Sequence, residues 1–294
     1  MEKSGQICKG MVMEMENNKA LRVFAEEIRV ETLREFEHLG FGHVGGSMSI
    51  VELLAVLYGG EMRIDPKQPQ MENRDKLVMS KGHAGPAVYA TLALKGYFPR
   101  DVLFTLNQGG TSLPSHCDRL KTVGIDATTG SLGQGISVAC GMAMGAKLKK
   151  WGSYVYLCLG DGECNEGQIW EGALFAAHFG IDNLITFVDL NKQQLDGGTD
   201  EVLFMGDMVD KWNAFGWFTQ KVDGHNIDAI QAAIAAAKAQ SGKPSVIILD
   251  TVKGNGCELA ENTFPCHHIA FKPEQIAPSI EKAEAALAAA RAAL

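Results

Sequence analysis

One stretch constrains the fold more than any other: SYVYLCLGDGECNEGQIWEGALFAAHFGIDNLITFVDLNKQQLDGG, residues 153 to 198. An apolar run from Tyr154 to Leu159 stops at Gly160-Asp161-Gly162, a helical stretch follows, and a second apolar run, Leu184 to Val188, stops at Asp189-Leu190-Asn191. Two strands joined by a helix form a βαβ unit whose strands run parallel. Asp161 and Asn191 therefore emerge at the same edge of the sheet, at the carboxyl ends of their strands. Open α/β sheets bind ligands in that crevice. A carboxylate and an amide oxygen flanked by glycines suit a hard cation holding a phosphate group, the usual mode for magnesium.

The rest of the chain repeats this logic. Leu21, Phe24, Ala25, Ile28, Leu33 and Phe36 recur at helical spacing within residues 17–39. Gly40 and Gly42 end that helix, His43 follows in GFGHVGGSMS, and Ser47 or Ser49 is expected to cap a second helix over 50–57. A short run, Leu77 to Met79, ends at Ser80-Lys81-Gly82-His83, so His83 occupies a strand-to-helix turn where helix-start amides favour anions. His116 is a third loop histidine. Thr128-Thr129-Gly130-Ser131-Leu132-Gly133-Gln134-Gly135 opens a helix over 136–149; it is either a tight turn or a ligand loop, and its GxxGxG order is not a dinucleotide fingerprint. On that helix, Gly141 and Gly145 are expected to admit a close backbone. A helix over 207–215, a strand over 217–222, a helix over 227–239 and a strand over 245–252 complete a doubly wound, mainly parallel sheet flanked by helices. Lys253-Gly254-Asn255-Gly256 follows the last strand, and EKAEAALAAARAAL is helical by propensity. Neither repeats nor a linker divide the chain. It reads as one domain over residues 1–294, with 1–16 and 280–294 as terminal extensions.

A net charge of −8 leaves no basic excess for nucleic-acid phosphates. No apolar stretch reaches the roughly 18 residues of a membrane span, and the charged start is unlike a signal peptide. The seven cysteines form no CxxC pair, which fits reduced thiols of a cytoplasmic protein. Cys257 and Cys266-His267-His268 leave a zinc cluster open, although their spacing matches no common structural pattern.

Taken in order, GHVGGS, SKGHAG, TTGSLGQGIS, GDGECNEG and DLNKQQLDG resemble transketolase from about residue 20 to about residue 270, and Asp161 to Asn191 resembles the thiamine diphosphate signature. Complete members of that family carry pyrimidine-binding and C-terminal domains beyond the part matched here. The chain thus resembles the N-terminal subunit of a split, two-chain transketolase. The resemblance implies thiamine diphosphate and Mg²⁺ as cofactors, with Asp161, Asn191 and the Gln193 carbonyl as metal ligands. It implies cofactor contacts at Gly162, Gly130, Ser131, Leu132 and His83, and at His267, which also reaches substrate. His43 and His116 would contact ketose hydroxyls, with His43 moving a proton. Glu166 would link to the catalytic glutamate of a partner chain, in an α2β2 assembly. The implied reaction moves a two-carbon ketol unit from a ketose to an aldose; the cofactor is the electron sink while histidines hold and move protons.

Val44, Ser115, Cys117, Cys266 and His268 depart from the family's usual residues. They are expected to line the substrate side and to mark a modified ketose as donor. The position of Glu261-Asn262 favours His267 over His268 as the active-site histidine. The α subunit of a 2-oxo acid dehydrogenase and a deoxyxylulose phosphate synthase share the metal signature, but GHVGGS with SKGHAG favours transketolase. A cofactor-binding regulatory subunit without catalysis is the non-enzyme alternative.

Overall fold

The computed structural model describes residues 2–264 and 266–294, with side chains described from Asn18 onward; Cys8 and the expected extension 1–16 lie outside the described side chains. The chain opens with helix α1 (Glu2–Leu39), followed by strand β1 (Phe41–Gly42) and helices α2 (Val44–Met48) and α3 (Val51–Val56). β2 (Lys76–Met79) turns into α4 (Gly85–Leu94), and α5 (Gln134–Leu148) follows a long loop region. Strands and helices then alternate: β3 (Val155–Gly160), α6 (Gly167–His178), β4 (Leu184–Leu190), a short α7 (Thr199–Val202) and α8 (Met208–Ala214). β5 (Phe218–Asp223), α9 (Ile227–Lys238) and β6 (Ser245–Asp250) come next. Last are β7 (Ile269–Ala270), antiparallel to β1, and α10 (Pro273–Ala292).

The central sheet has the order β2-β3-β4-β6-β5 and every pairing is parallel. A strand buried on both sides reads as a continuous apolar run, and β3 shows why. Tyr156 and Cys158 enter the core shared with α3, α4 and α9, whereas Val155, Leu157 and Leu159 enter the core shared with α5, α6 and Trp212 of α8. The expected βαβ unit is present, with Gly160 in register with Asp189. That register brings both strand ends to the same level, where Asp161 N–H donates to Asp189 O at 3.2 Å.

Two expectations change. Neither serine caps the second helix: α2 begins directly after His43, α3 is preceded by Ile50 without a side-chain cap, and Ser49 Oγ instead donates to Asp189 Oδ2 at 2.7 Å. Gly141 and Gly145 meet nothing within 4 Å of where a Cβ would stand, so no backbone of this chain approaches them. At the other end, α10 starts at Pro273 and buries Ile276, Ile280 and Ala283 in a cluster with Phe36 of α1 and Val44 of α2. Among the described residues, no helix is long and apolar enough to cross a membrane.

Candidate active site

Topology brings dispersed histidines together. The β1–β7 pair sets Gly42 opposite Ile269, so His43, next after Gly42, stands beside His267 and His268, just before Ile269. His43 is the hub: its ring centroid lies 5.4 Å from that of His83, 5.3 Å from His116, 5.4 Å from His267 and 4.7 Å from His268. His83 and His267 are 4.8 Å apart. Backbone bonds knit the segments that carry them: Cys117 N–H donates to Gly82 O and Thr129 N–H to Cys117 O. Gly82 has to be glycine here, because a Cβ would stand 2.7 Å from the backbone of Thr129 and Gly130. Gly130 itself lies against the His116 ring. The four histidines singled out in the sequence all converge, with His268 as a fifth. His267 also lies 3.4 Å, Nδ1 to Nζ, from Lys253 and is partly buried, whereas His268 is exposed and packs towards Phe41.

Beside the histidines lies the strand-end group. Asp161 is buried; its Oδ1 accepts from Gly162 N–H at 2.8 Å and its Oδ2 from Lys192 N–H. Asn191 donates from Nδ2 to Asp189 Oδ2 at 2.7 Å and accepts at Oδ1 from Gln193 N–H at 3.2 Å, which together fix the amide. Lys253, which sequence reasoning passed over, joins the two groups: its Nζ donates to the Gln193 carbonyl at 3.1 Å. Lys81 and Asp189 were missed as well. They form a buried ion pair at 2.6 Å, and Asp189 also accepts from Ser49, Asn191 and Thr251. The residues stood in plain sight within SKGH and DLN; nothing in their spacing revealed the pairing. Glu166, before the first turn of α6, is exposed beside Gly133.

The electrostatics follow from burial. Desolvation, then the neighbouring His267, His268, His116 and Lys253, pushes His43 down to about 3. Desolvation and the nearby lysines push His267 down to about 4, and His83 and His116 are also lowered, chiefly by burial. At neutral pH these rings are uncharged, so each offers one donor and one acceptor nitrogen. Desolvation and the neighbouring Asp189 push Asp161 up to about 7 against the pull of its two N–H donors.

A carboxylate, an amide oxygen and a main-chain carbonyl are a hard-cation donor set. The buried carboxyl of Asp161, disfavoured as an anion, fits a site completed by a cation. The zinc reading does not survive: among the described residues, no group of three His, Cys, Asp or Glu side chains is placed to hold a metal. Nor do all the departures line the site. Val44, Cys117 and Cys266 are 0%, 1% and 1% exposed and belong to hydrophobic cores.

A parallel α/β sheet with an oxygen-donor group and a histidine cluster at its strand ends defines a nucleotide- or diphosphate-handling α/β protein. The chain matches the family model for the transketolase thiamine diphosphate binding domain over residues 21–285. It belongs to the transketolase family of transferases, and the part of the family it carries is that thiamine diphosphate-binding domain. The 6-deoxy-6-sulfo-D-fructose transketolase subunit SqwG of Clostridium sp. (strain MSTE9) is 52% identical over 260 residues, covering 88% of this chain and 94% of that one. An apulose-4-phosphate transketolase subunit of Phocaeicola vulgatus is 37% identical over 241 residues, 82% of this chain and 85% of that one. The structure of transketolase from Leishmania mexicana superposes with a TM-score of 0.80 at 28% identity, covering 92% of this chain and 46% of that one. The chain thus spans less than half the length of that solved transketolase.

Proposed function

We propose that this chain is the cofactor-anchoring subunit of a two-chain transketolase, moving a two-carbon ketol unit from a sulfonated ketose to an aldose. The observation that carries the reading is the convergence of His43, His83, His116 and His267 beside the Asp161–Asn191 strand ends, with Lys253 between them. Asp161, the Asn191 amide oxygen and the Gln193 carbonyl hold Mg²⁺. Gly162, His83, Lys253 and the loop Gly130-Ser131-Leu132 hold the diphosphate side of the cofactor. Thiamine diphosphate, when bound, supplies the electron sink that lets a carbon–carbon bond beside a carbonyl break. The protein's part is orientation and proton movement. His43, His116 and His267, kept neutral, hydrogen-bond the ketose hydroxyls, each through one donor and one acceptor nitrogen, and His43 helps to orient the hydroxyl whose proton moves.

Two observations support a partner chain, and α2β2 is the assembly proposed for the pair. The relative that this chain covers almost end to end is itself one subunit of a transketolase. Val138 and Leu148 of α5, Leu174 and Phe175 of α6, and Phe179 just after α6 are exposed apolar side chains of the two helices that start next to Gly133 and Glu166. Exposed large apolar side chains are candidates for an interaction face, and Glu166 would meet the partner's catalytic glutamate there. The six described cysteines are buried and unpaired, which supports a cytoplasmic setting.

The donor class rests on the 52% identical relative and on His268 at the rim of the histidine cluster. Steady-state assays of this chain assembled with its partner test it. The expected order of kcat/KM places 6-deoxy-6-sulfo-D-fructose above fructose 6-phosphate and xylulose 5-phosphate. Xylulose 5-phosphate as the best donor contradicts the donor class. Decarboxylation of a 2-oxo acid in place of ketol transfer moves the chain to the dehydrogenase rival, and bound cofactor without any turnover marks a regulatory subunit.

A further inference from the structure

Glu163, inside GDGECNEG, is 2% exposed and has no part in the site as described above. Its carboxylate meets three separate segments. Oε1 accepts from Ser80 Oγ and from Gly133 N–H at 2.9 Å, and Oε2 accepts from Gly160 N–H at 3.0 Å. Each donor adjoins a candidate cofactor contact: Ser80 ends β2 just before His83, Gly133 follows Gly130-Ser131-Leu132, and Gly160 precedes Asp161. The glycine-rich loop is pinned at its start by Thr129, whose Oγ1 donates to Met79 O at 2.6 Å. Glu163 pins its end.

We propose that Glu163 is a positioning residue that fixes the spacing between the glycine-rich loop and the Gly160-Asp161-Gly162 turn, and so the pocket for thiamine diphosphate. This rests on the function proposed above. Gly133 makes the anchor rigid: it stands at φ +83°, and a Cβ there would lie 2.8 Å from Glu166 Cβ. Three donors converging on one carboxylate leave no equivalent arrangement for an amide. In Glu163→Gln, the new NH₂ faces either Gly160 N–H or Gly133 N–H, and one backbone donor loses its acceptor.

The test compares wild type with Glu163→Gln, each assembled with the partner chain, by calorimetry with thiamine diphosphate and Mg²⁺ and by amide hydrogen exchange. Expected are a cofactor Kd weakened ~10–100-fold, the range for outer-shell partners of a bound group, and faster exchange confined to residues 128–136. Saturating cofactor recovers part of the lost activity, so the cofactor Kd changes by a larger factor than kcat. Unchanged affinity and loop exchange overturn the proposal, as does a uniform loss of protection through β3 and β4, which marks a purely structural role. Should Glu163→Gln not fold, Ser80→Ala removes one donor and leaves the two backbone bonds; its expected Kd change is smaller but measurable, and no change overturns the proposal. A wild-type protein that binds no thiamine diphosphate defeats the functional reading itself, an outcome distinct from a variant that binds as well as wild type.

Discussion

At the scale of residues, the site is made of groups whose protonation equilibria are shifted by burial. Asp161 is held up to about 7 by burial and by Asp189, so an anionic carboxylate there needs a cation. Asp161→Ala is expected to weaken Mg²⁺-dependent thiamine diphosphate binding by more than the ~10–100-fold of outer-shell partners; calorimetry with unchanged affinity removes Asp161 from the metal. His43 has the opposite linkage. Its folded value of about 3 lies below the unfolded 6.5, so between those values the unfolded chain binds more protons. Its contribution to stability is present above pH 6.5 and lost as pH falls towards 3. Thermal melts from pH 7.5 down to pH 4.5 should therefore show His43→Asn losing less stability than wild type, by a few degrees in Tm; parallel profiles contradict the buried neutral ring. Loop histidines between glycines were legible because such positions rarely serve a core. Lys81 and Asp189 were not, because their partnership spans 108 positions and exists only once β2 and β4 lie in one sheet. Glu163 was hidden inside the most legible motif of all, since two of its three partners, Ser80 and Gly133, come from segments 83 and 30 positions away.

At the scale of elements, the strands announced themselves because they are buried on both faces and read as unbroken apolar runs ending in glycine or a polar turn. The parallel pairing followed from the βαβ connection, and with it the shared edge for Asp161 and Asn191. The two-residue β1–β7 pair was not legible: two residues carry no periodicity, yet this pair brings His43 to His267. The tail EKAEAALAAARAAL was legible only as a helix by propensity, because the residues that anchor it, Ile276 and Ile280, lie before the alanine-rich stretch. Ile276 is fully buried beside α1. Ile276→Ala is expected to cost about 2–5 kcal/mol in denaturant unfolding, the range for removing a buried isoleucine side chain. A loss below about 0.5 kcal/mol, the scale of surface substitutions, means that α10 is not integral to that core.

At the scale of the whole molecule, the chain holds the acidic strand ends, the histidine cluster and the diphosphate-side loop, and it covers 46% of a solved transketolase. Its α5–α6 flank is apolar and exposed, and Glu166 stands exposed at the top of that flank. The clustered histidines, the exposed apolar side chains of α5 and α6 and the near full-length match to a transketolase subunit are brought together by the function proposed above. The most direct measurement is ketol transfer from 6-deoxy-6-sulfo-D-fructose to an aldose phosphate, with thiamine diphosphate and Mg²⁺, by this chain alone, by its partner alone and by the two mixed. The account predicts turnover only in the mixture, saturating as partner approaches an equal number of chains; full turnover by this chain alone would contradict it.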